Sequence, residues 1–536
     1  LFTLTGGMTA SGAGAKTLTL QGSTIGTGEF AGVISNTPYG NAITVVKAGT
    51  GTWRLSSANT FTGGMTINGG TLAIAHPNAL GTNGVSIPGT VGSVDLAHDG
   101  AGETINDYTM NAGAVGTLKS NRSSPGEGIN HAVGVMHLSS ATLYVTNGDN
   151  VVSGKAAVTA DFIDLFSGAG GATTILAPTT ADLIIRSGVS ILSGGNTKTL
   201  QLDGTSLGSL ILGPVTNGLG GTVTLTKMNT GTWTLSGSNT YSGTTTIKGG
   251  TLVLAGPDGA LVNSSGLTVT TNAALVLWNN ALSNNVNRLK DASAITLNGG
   301  AFSFVHDADS GDYSESAGPL SVTAGANTLF TSAAYSGHTS ALTFASFARS
   351  GNATVNFIGD GLGESDRNRV FLTGWAEGPL GPWATVNGTN YAAYSSTLGV
   401  YVAGASGGAT NIAARGPSSV IPNNAAFFAQ INEPGEYGPI MLEGDLTNSI
   451  LMVQQNNPTN AVIATVFGVT NKTLLASGLV IAADQGSLTL GENPGQGALS
   501  ALTPGGTVLL KNDSSNALLT VSAAVANNGA STVLEK

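Results

Sequence analysis

Residues Gly49–Gly81 read GTGTWRLSSANTFTGGMTINGGTLAIAHPNALG, and Asn229–Leu261 read NTGTWTLSGSNTYSGTTTIKGGTLVLAGPDGAL. The Trp, the LS turn, the N-T-aromatic triplet, the GGTL and an Ala-Leu pair recur in the same order, and more than half of the aligned positions are identical. A block repeated this closely signals a repetitive architecture. Inside it, and in TLTLQ (Thr17–Gln21), TLQLDG (Thr199–Gly204) and TVTLTK (Thr222–Lys227), apolar residues alternate with Thr, Ser and Asn, bounded by Gly-Gly or Asn-Gly. Period-2 alternation between turn residues is the strand signal. The best helical candidate, AAFFAQINEPG near Ala425, meets Pro434 within about two turns. The chain therefore reads as all-β, with many short strands.

Composition narrows the architecture. Of 536 residues, 79 are Gly, none is Cys and 9% are charged, against about 25% in ordinary domains. No run of ~18 apolar residues exists, so no membrane-spanning helix is expected. An apolar content of 41% is too high for disorder. A net charge of −10, with 19 Lys and Arg in total, speaks against nucleic acid, because phosphate binding needs clustered cations. The lack of Cys excludes disulfides and thiolate metal sites. The chain opens at Leu1, not Met, and reads as processed or trimmed. A parallel β-solenoid fits: each coil lays its strand on the one below, with Leu, Ile, Val and Ala inward and Thr, Ser and Asn outward. Stacked Thr and Asn pair well, whereas stacked like charges repel. Low charge then follows from stacking.

The two copies extend upstream. KTLTLQG at Lys16 matches KTLQLDG at Lys198, and AITVVK ending at Lys47 matches TVTLTK ending at Lys227. The pattern GxGTW-x-LS-x-x-NT-[FY]-[ST]-G-x-x-TI-x-GGTL resembles the autotransporter-associated (passenger-associated transport) β-strand repeat. More loosely, Arg349–Gly404 resembles a block that recurs in long secreted proteins carrying that repeat. The resemblance implies a right-handed parallel β-helix forming an elongated rod, found in secreted bacterial stalks, adhesins and fibres. No terminal series of ~10-residue strands with aromatic girdles follows, so a membrane-inserted barrel is not expected. The organisation reads as a solenoid over 1–280 carrying the repeats 49–81 and 229–261, a more irregular β region over 281–420, and further coils over 421–536.

Chemistry-bearing residues are sparse. Gly7–Thr17 has a faint phosphate-loop look, but Ala15 precedes Lys16 where Gly belongs and a strand follows, not a helix. GAGGA at Gly168 likewise reads as a turn. Asp307, Asp309, Asp312 and Glu315 are the densest carboxylates. Their spacing supplies part of a calcium loop, but Gly311 takes the place of a third ligand, so an acidic surface loop is expected. Glu364, Asp366, Arg367 and Arg369 form the one mixed cluster, within an expected turn. His131 and His137, an even number of residues apart, should share a strand face as surface residues without a third ligand. No catalytic residue, cofactor or metal is expected.

The expected role is a non-enzymatic extracellular structural protein, a subunit of a secreted fibre or surface stalk. The alternative is a cell-surface adhesin that binds surface glycans through an aromatic groove of Trp375, Trp383, Tyr391 and Tyr394. Ser531–Lys536, STVLEK, ends as the strands before each Trp do, and LFTLTGGMTASG from Leu1 aligns with TWTLSGSNTYSG from Thr232. Uncapped solenoid ends of this kind are expected to associate head to tail into a homopolymer. Trp53 and Trp233, as equivalent residues, should be equally buried. At ~20–25 residues per coil and a strand spacing near 4.8 Å, the rod should measure roughly 100–130 Å. Small-angle scattering checks this, and the radius of gyration of a globule of this mass contradicts it.

Overall fold

The computed structural model describes residues 2–89, 91–100, 106–166, 172–307, 311–333, 338–364, 366–381, 383–388, 390–403, 409–413, 420–421, 423–433, 439–443, 447–467, 470–482 and 484–536. Among them there is no helix, and most strands pair in parallel, building a β-solenoid. The chain divides into two compact units, one of Leu1–Ala308 with Glu315–Ser321, the other of Asp309–Ser314 with Val322–Lys536. Gly168 and Asp309 lie outside the described residues.

The first unit is built on two parallel ladders. One climbs from Lys16–Leu20 through Ile43–Lys47 and Met65–Ile67; the other climbs from Thr27–Phe30 through Thr52–Leu55 and Thr71–Ile74. Coil length varies, from 19 residues between Trp53 and its register partner Leu72 to 33 between Val145 and Pro178. Register keeps the inward column apolar: Leu55, Ile74 and Leu96 follow one another in one ladder, Val45, Met65 and Val85 in the other, all buried. A one-residue slip would turn each of these outward. Outward columns are polar, as in Thr226, Thr246, Thr268 and Thr296 on four successive strands. Where charges enter such a column, register partners are opposite in sign: Glu29 beside Arg54, and Asp95 beside Lys119.

Following the ladders shows that the two copies of the repeat are out of phase by half a coil. The Trp53 strand leads by register through Leu72, Val94 and Leu118 to Val145, and the strand of Val145, Thr142–Asn147, leads through Ala172–Pro178 to Lys198–Leu202. That strand is the equivalent of Lys16–Leu20, which starts the other ladder. Trp233 accordingly stands in the ladder of Lys47, not in that of Trp53. The coils between the copies total a half-integer number of turns.

Corners correct one expectation. In Asn130–Leu138 the buried residues are His131 and Val133, then Met136 and Leu138, so the alternation reverses at Gly134. Gly134 donates its N–H to Asn106 O, and a Cβ there would lie 2.3 Å from the Asp107 carboxylate. The strand turns a corner at this point, so His131 points inward and His137 outward.

In the second unit the parallel pairing of Ala326–Ala333, Thr354–Ile358 and Ala384–Val386 gives way to an antiparallel meander. Asn390–Ser395 pairs antiparallel with Gly378–Pro379, Ala384–Val386 and Gly399–Val402. Parallel stacking resumes in Asn424–Glu433, Thr447–Gln455, Thr473–Ile481 and Ala498–Ala501, around buried Ile431, Ile450, Leu474 and Leu499. The Ala425 segment is thus a strand.

The repeat also shows compensated core chemistry. Tyr241 is fully buried, and its hydroxyl meets Thr245 Oγ1 at 2.6 Å, which meets Ser264 Oγ at 2.9 Å; Ser264 donates to a backbone carbonyl. The equivalent positions of the first copy are Phe61, Met65 and Gly84, so the three polar side chains are absent together. Breaking the network halfway leaves buried polar atoms unpaired, at about 1–3 kcal/mol each. Tyr241→Phe alone is therefore expected to destabilise the second copy, and Tyr241→Phe/Thr245→Met/Ser264→Gly to recover most of the loss. Hydrogen exchange of Ile247 and Leu252 amides checks this, and a triple variant worse than the single one contradicts it.

Candidate functional site

The recurring residues of the repeat converge on the backbone of neighbouring coils. Lys47 continues the inward row of Ile43 and Val45, and Lys227 that of Val223 and Leu225; both lysines are 0% exposed. Lys47 Nζ donates to the carbonyls of Ala48 (2.9 Å), Gly49 (3.0 Å) and Gly69 (2.9 Å). Lys227 Nζ donates to Met228 (2.6 Å), Asn229 (3.0 Å) and Gly249 (3.1 Å). An ammonium has three N–H donors, and three carbonyls from two coils take them all. Burial lowers both ammonium pKa values, that of Lys227 to about 8, with the Asp203 carboxylate opposing the shift there. With its pKa at about 8, the Lys227 ammonium persists at neutral pH.

The GGTL turn is shaped around this ammonium. Gly70 and Gly250 have φ of 65° and 61°, a region that favours glycine. A Cβ at Gly70 would lie 2.5 Å from Gly51 O and 2.6 Å from Lys47 Nζ; at Gly250 the nearest atoms are Gly231 O at 2.3 Å and Asn229 O at 2.5 Å. Two asparagines act likewise. Asn59 accepts from Ile34 N and donates to Ala79 O; Asn239 accepts from Val215 N and donates to Ala260 O. Each ties the coil before to the coil after.

The tryptophans keep equivalent hydrogen bonds but not equal burial. Trp53 Nε1 donates to Gln21 O (3.2 Å) and Trp233 Nε1 to Asp203 O (2.9 Å), at matching places in the two copies. Trp233 is fully buried and Trp53 half-buried. Trp53 covers Gly28 and meets Phe2 edge-on at 6.1 Å, beside an open pocket of about 470 Å³, and the strand Phe2–Leu4 is itself exposed. The expectation of equal burial fails because burial depends on the next coil out, which the repeat does not encode.

Other candidates resolve into local pairing. His131 is 1% exposed, with Nδ1 2.8 Å from Ser120 Oγ and Nε2 3.1 Å from His98 O, so it is a core residue and not a surface one. His137 Nδ1 meets Asp164 at 2.8 Å. Lys16 opens a strand and donates to Ala13 O. Asp312 is exposed and accepts the Thr339 N–H, whereas Glu315 is buried and accepts those of Arg288 and Leu289. Burial pushes Glu315 up to about 7. Arg367 pairs with Asp360 and Arg369 with Asp366, which holds the 360–369 turn together. Among the described residues no group of three or more His, Asp or Glu is placed to hold a metal ion.

The proposed aromatic groove divides. Tyr391 and Tyr394 are 2% and 4% exposed and belong to the core. Trp375 and Trp383 are half-exposed and meet at 6.0 Å edge-on, with Trp383 stacked on Phe347 at 5.6 Å and 13°. Arg349 lies 5.4 Å over the Trp383 ring, and together with Thr354, Ser477, Thr503, Thr507 and Glu535 these two line a pocket of about 290 Å³, all within the second unit. Residue type placed the tryptophans; only the fold could separate them from the tyrosines.

Replacing Lys227 by Met keeps the stem and leaves three buried carbonyls without donors, and charge-assisted hydrogen bonds contribute about 1.5–3 kcal/mol each. The expected local loss is roughly 3–5 kcal/mol once relaxation and the removed burial of charge are included. It is read as lost hydrogen-exchange protection in 223–254, while 45–74 is unchanged.

The comparisons agree with this geometry. The model of the passenger-associated transport repeat matches residues 45–74 and 225–254. The curated adhesin BmaC autotransporter of Brucella suis biovar 1 is 32% identical over 271 residues, covering 47% of this chain and 8% of that protein. The match thus spans less than a tenth of the relative's length. No solved structure is significantly similar. The chain carries two passenger-associated transport repeats on a parallel β-solenoid.

Proposed function

We propose that this chain is a length of the solenoid passenger of a surface adhesin, displayed outside the cell, and that its work is mechanical and adhesive, not catalytic. The observation that carries the reading is the half-coil phase of the two repeats together with their buried clamp. Lys47 and Lys227, Asn59 and Asn239, and Trp53 and Trp233 all bond to backbone carbonyls or amides of adjacent coils. Copies standing in different ladders cannot build one continuous binding face, so what recurs serves the scaffold. Similarity to a protein named an autotransporter adhesin supports the setting. Beads coated with the 1–536 polypeptide are expected to be retained on cultured epithelial cells above albumin-coated beads. Equal retention speaks against the adhesive reading.

A finer reading adds head-to-tail association of such polypeptides into a fibre. The strand Phe2–Leu4 pairs with Thr27–Phe30 and keeps Phe2 and Leu4 exposed; Val533–Glu535 pairs with Thr507–Asn512 and keeps Val533 and Leu534 exposed. Apolar strand edges of this kind take a further strand. Static light scattering of the 1–536 polypeptide should show mass growing with concentration, and Phe2→Asp or Leu534→Lys should abolish the growth. A constant monomer mass removes the fibre and leaves the adhesin reading untouched.

A further inference from the structure

We propose that the pocket beside Trp383 binds a neutral saccharide unit of a surface glycan; the inference rests on the adhesin reading and names its ligand class. Trp383 packs against three neighbours: the Phe347 ring stacks with it, Trp375 meets it edge-on, and the Arg349 guanidinium lies 5.4 Å from its ring centroid. Arg349 is fixed in turn, its Nε donating to Ala353 O at 2.6 Å. A half-buried indole packed against three neighbours offers a pre-organised apolar surface with little entropy left to lose on binding. The C–H face of a pyranose ring is a ligand surface of matching size and character.

The walls supply the rest of the chemistry. Thr354, Ser477, Thr503 and Thr507 bring hydroxyls, which both donate and accept, as sugar hydroxyls do. Arg349 brings donors only, and Glu535, whose carboxylate acts on the Arg349 guanidinium, brings acceptors only. One cation and one anion leave the pocket without net charge, so it offers no net attraction for a charged sugar. A purely apolar side chain would leave the hydroxyl wall unpaired, which costs affinity. The volume of about 290 Å³ lies at the small end of ligand pockets, ~300–1,000 Å³. It suits one ring of a glycan, not a long segment.

The site also lies where a pocket can form. Trp383 stands in the antiparallel meander between Gly378–Pro379 and Ala384–Val386. There the regular coil-on-coil translation is broken, and side chains from Thr473–Ile481 and Thr507–Asn512 close the opposite wall.

The test uses the 1–536 polypeptide on a printed array of neutral-terminated (galactose, glucose, mannose, N-acetylglucosamine) and acidic (sialylated, sulfated) oligosaccharides. Binding to neutral-terminated glycans is expected, with a loss of at least tenfold in Trp383→Ala and severalfold losses in Glu535→Gln and Thr507→Val. Far-UV circular dichroism and melting serve as fold controls. If Trp383→Ala does not fold, the other two shape-preserving variants decide. A blank array, binding to acidic glycans alone, or variants that all bind as the parent does overturn the proposal. Coated beads that adhere to cells while the array is blank overturn the pocket and leave the adhesin reading standing. Beads that fail to adhere while the array shows Trp383-dependent binding do the reverse.

Discussion

A lysine ammonium closed off from water by three backbone carbonyls is the interaction on which the repeat depends. At Lys47 and Lys227 the carbonyls come from the two residues after the lysine and from the GG turn one coil on. Carbonyls that turn inward at a solenoid corner have no ladder partner, and each left unpaired costs free energy comparable to a lost hydrogen bond. A side chain with three donors on a long apolar stem meets that need, and its stem continues the inward row of Ile43 and Val45 or Val223 and Leu225. Everything else follows from that geometry: Gly70 and Gly250 must lack a Cβ, and the coil length between lysine and GG turn is fixed at both copies.

The clamp is local, and so it can be installed in either ladder. The half-coil offset between copies means that the same sequence folds with its lysine strand in one ladder or the other. Nothing in the clamp reaches across to a particular face; it requires only a coil before and a coil after. Core substitutions follow the same local logic. Phe61, Met65 and Gly84 in one copy replace the hydrogen-bonded Tyr241, Thr245 and Ser264 of the other as a set.

Much of this was legible in the residues. Alternation gave the strands, Gly-Gly the corners, and recurrence the equivalence of Trp53 with Trp233. Parallel stacking followed from the scarcity of charge, and the few outward charges that do stack, Glu29 with Arg54 and Asp95 with Lys119, are paired by sign. The buried lysines were missed because a charged residue reads as surface, although both stood in phase with apolar neighbours in both copies. The faces of His131 and His137 were misjudged because a corner at Gly134 reverses alternation inside one continuous strand. The local reversal of strand direction was not legible. An antiparallel meander and a parallel coil show the same alternation, so Gly378–Val402 read only as part of an irregular β region, and the burial of Tyr391 and Tyr394 was not foreseen.

That meander bears on where a solenoid can form a concave surface. On a regular ladder every outward side chain has neighbours about 4.8 Å above and below, so its surface is a set of flat stripes without depth. Flat stripes such as Thr226, Thr246, Thr268 and Thr296 offer hydroxyls in rows but enclose nothing. Recognition of a small ligand needs concavity, and a place where the translation from coil to coil fails can supply it. In this chain the described residues show such a failure at Gly378–Val402, and the half-exposed tryptophans stand beside it or within it. Regular coils, clamped by buried lysine and asparagine, keep their outer stripes flat, whereas a break in regularity lets a concave surface form.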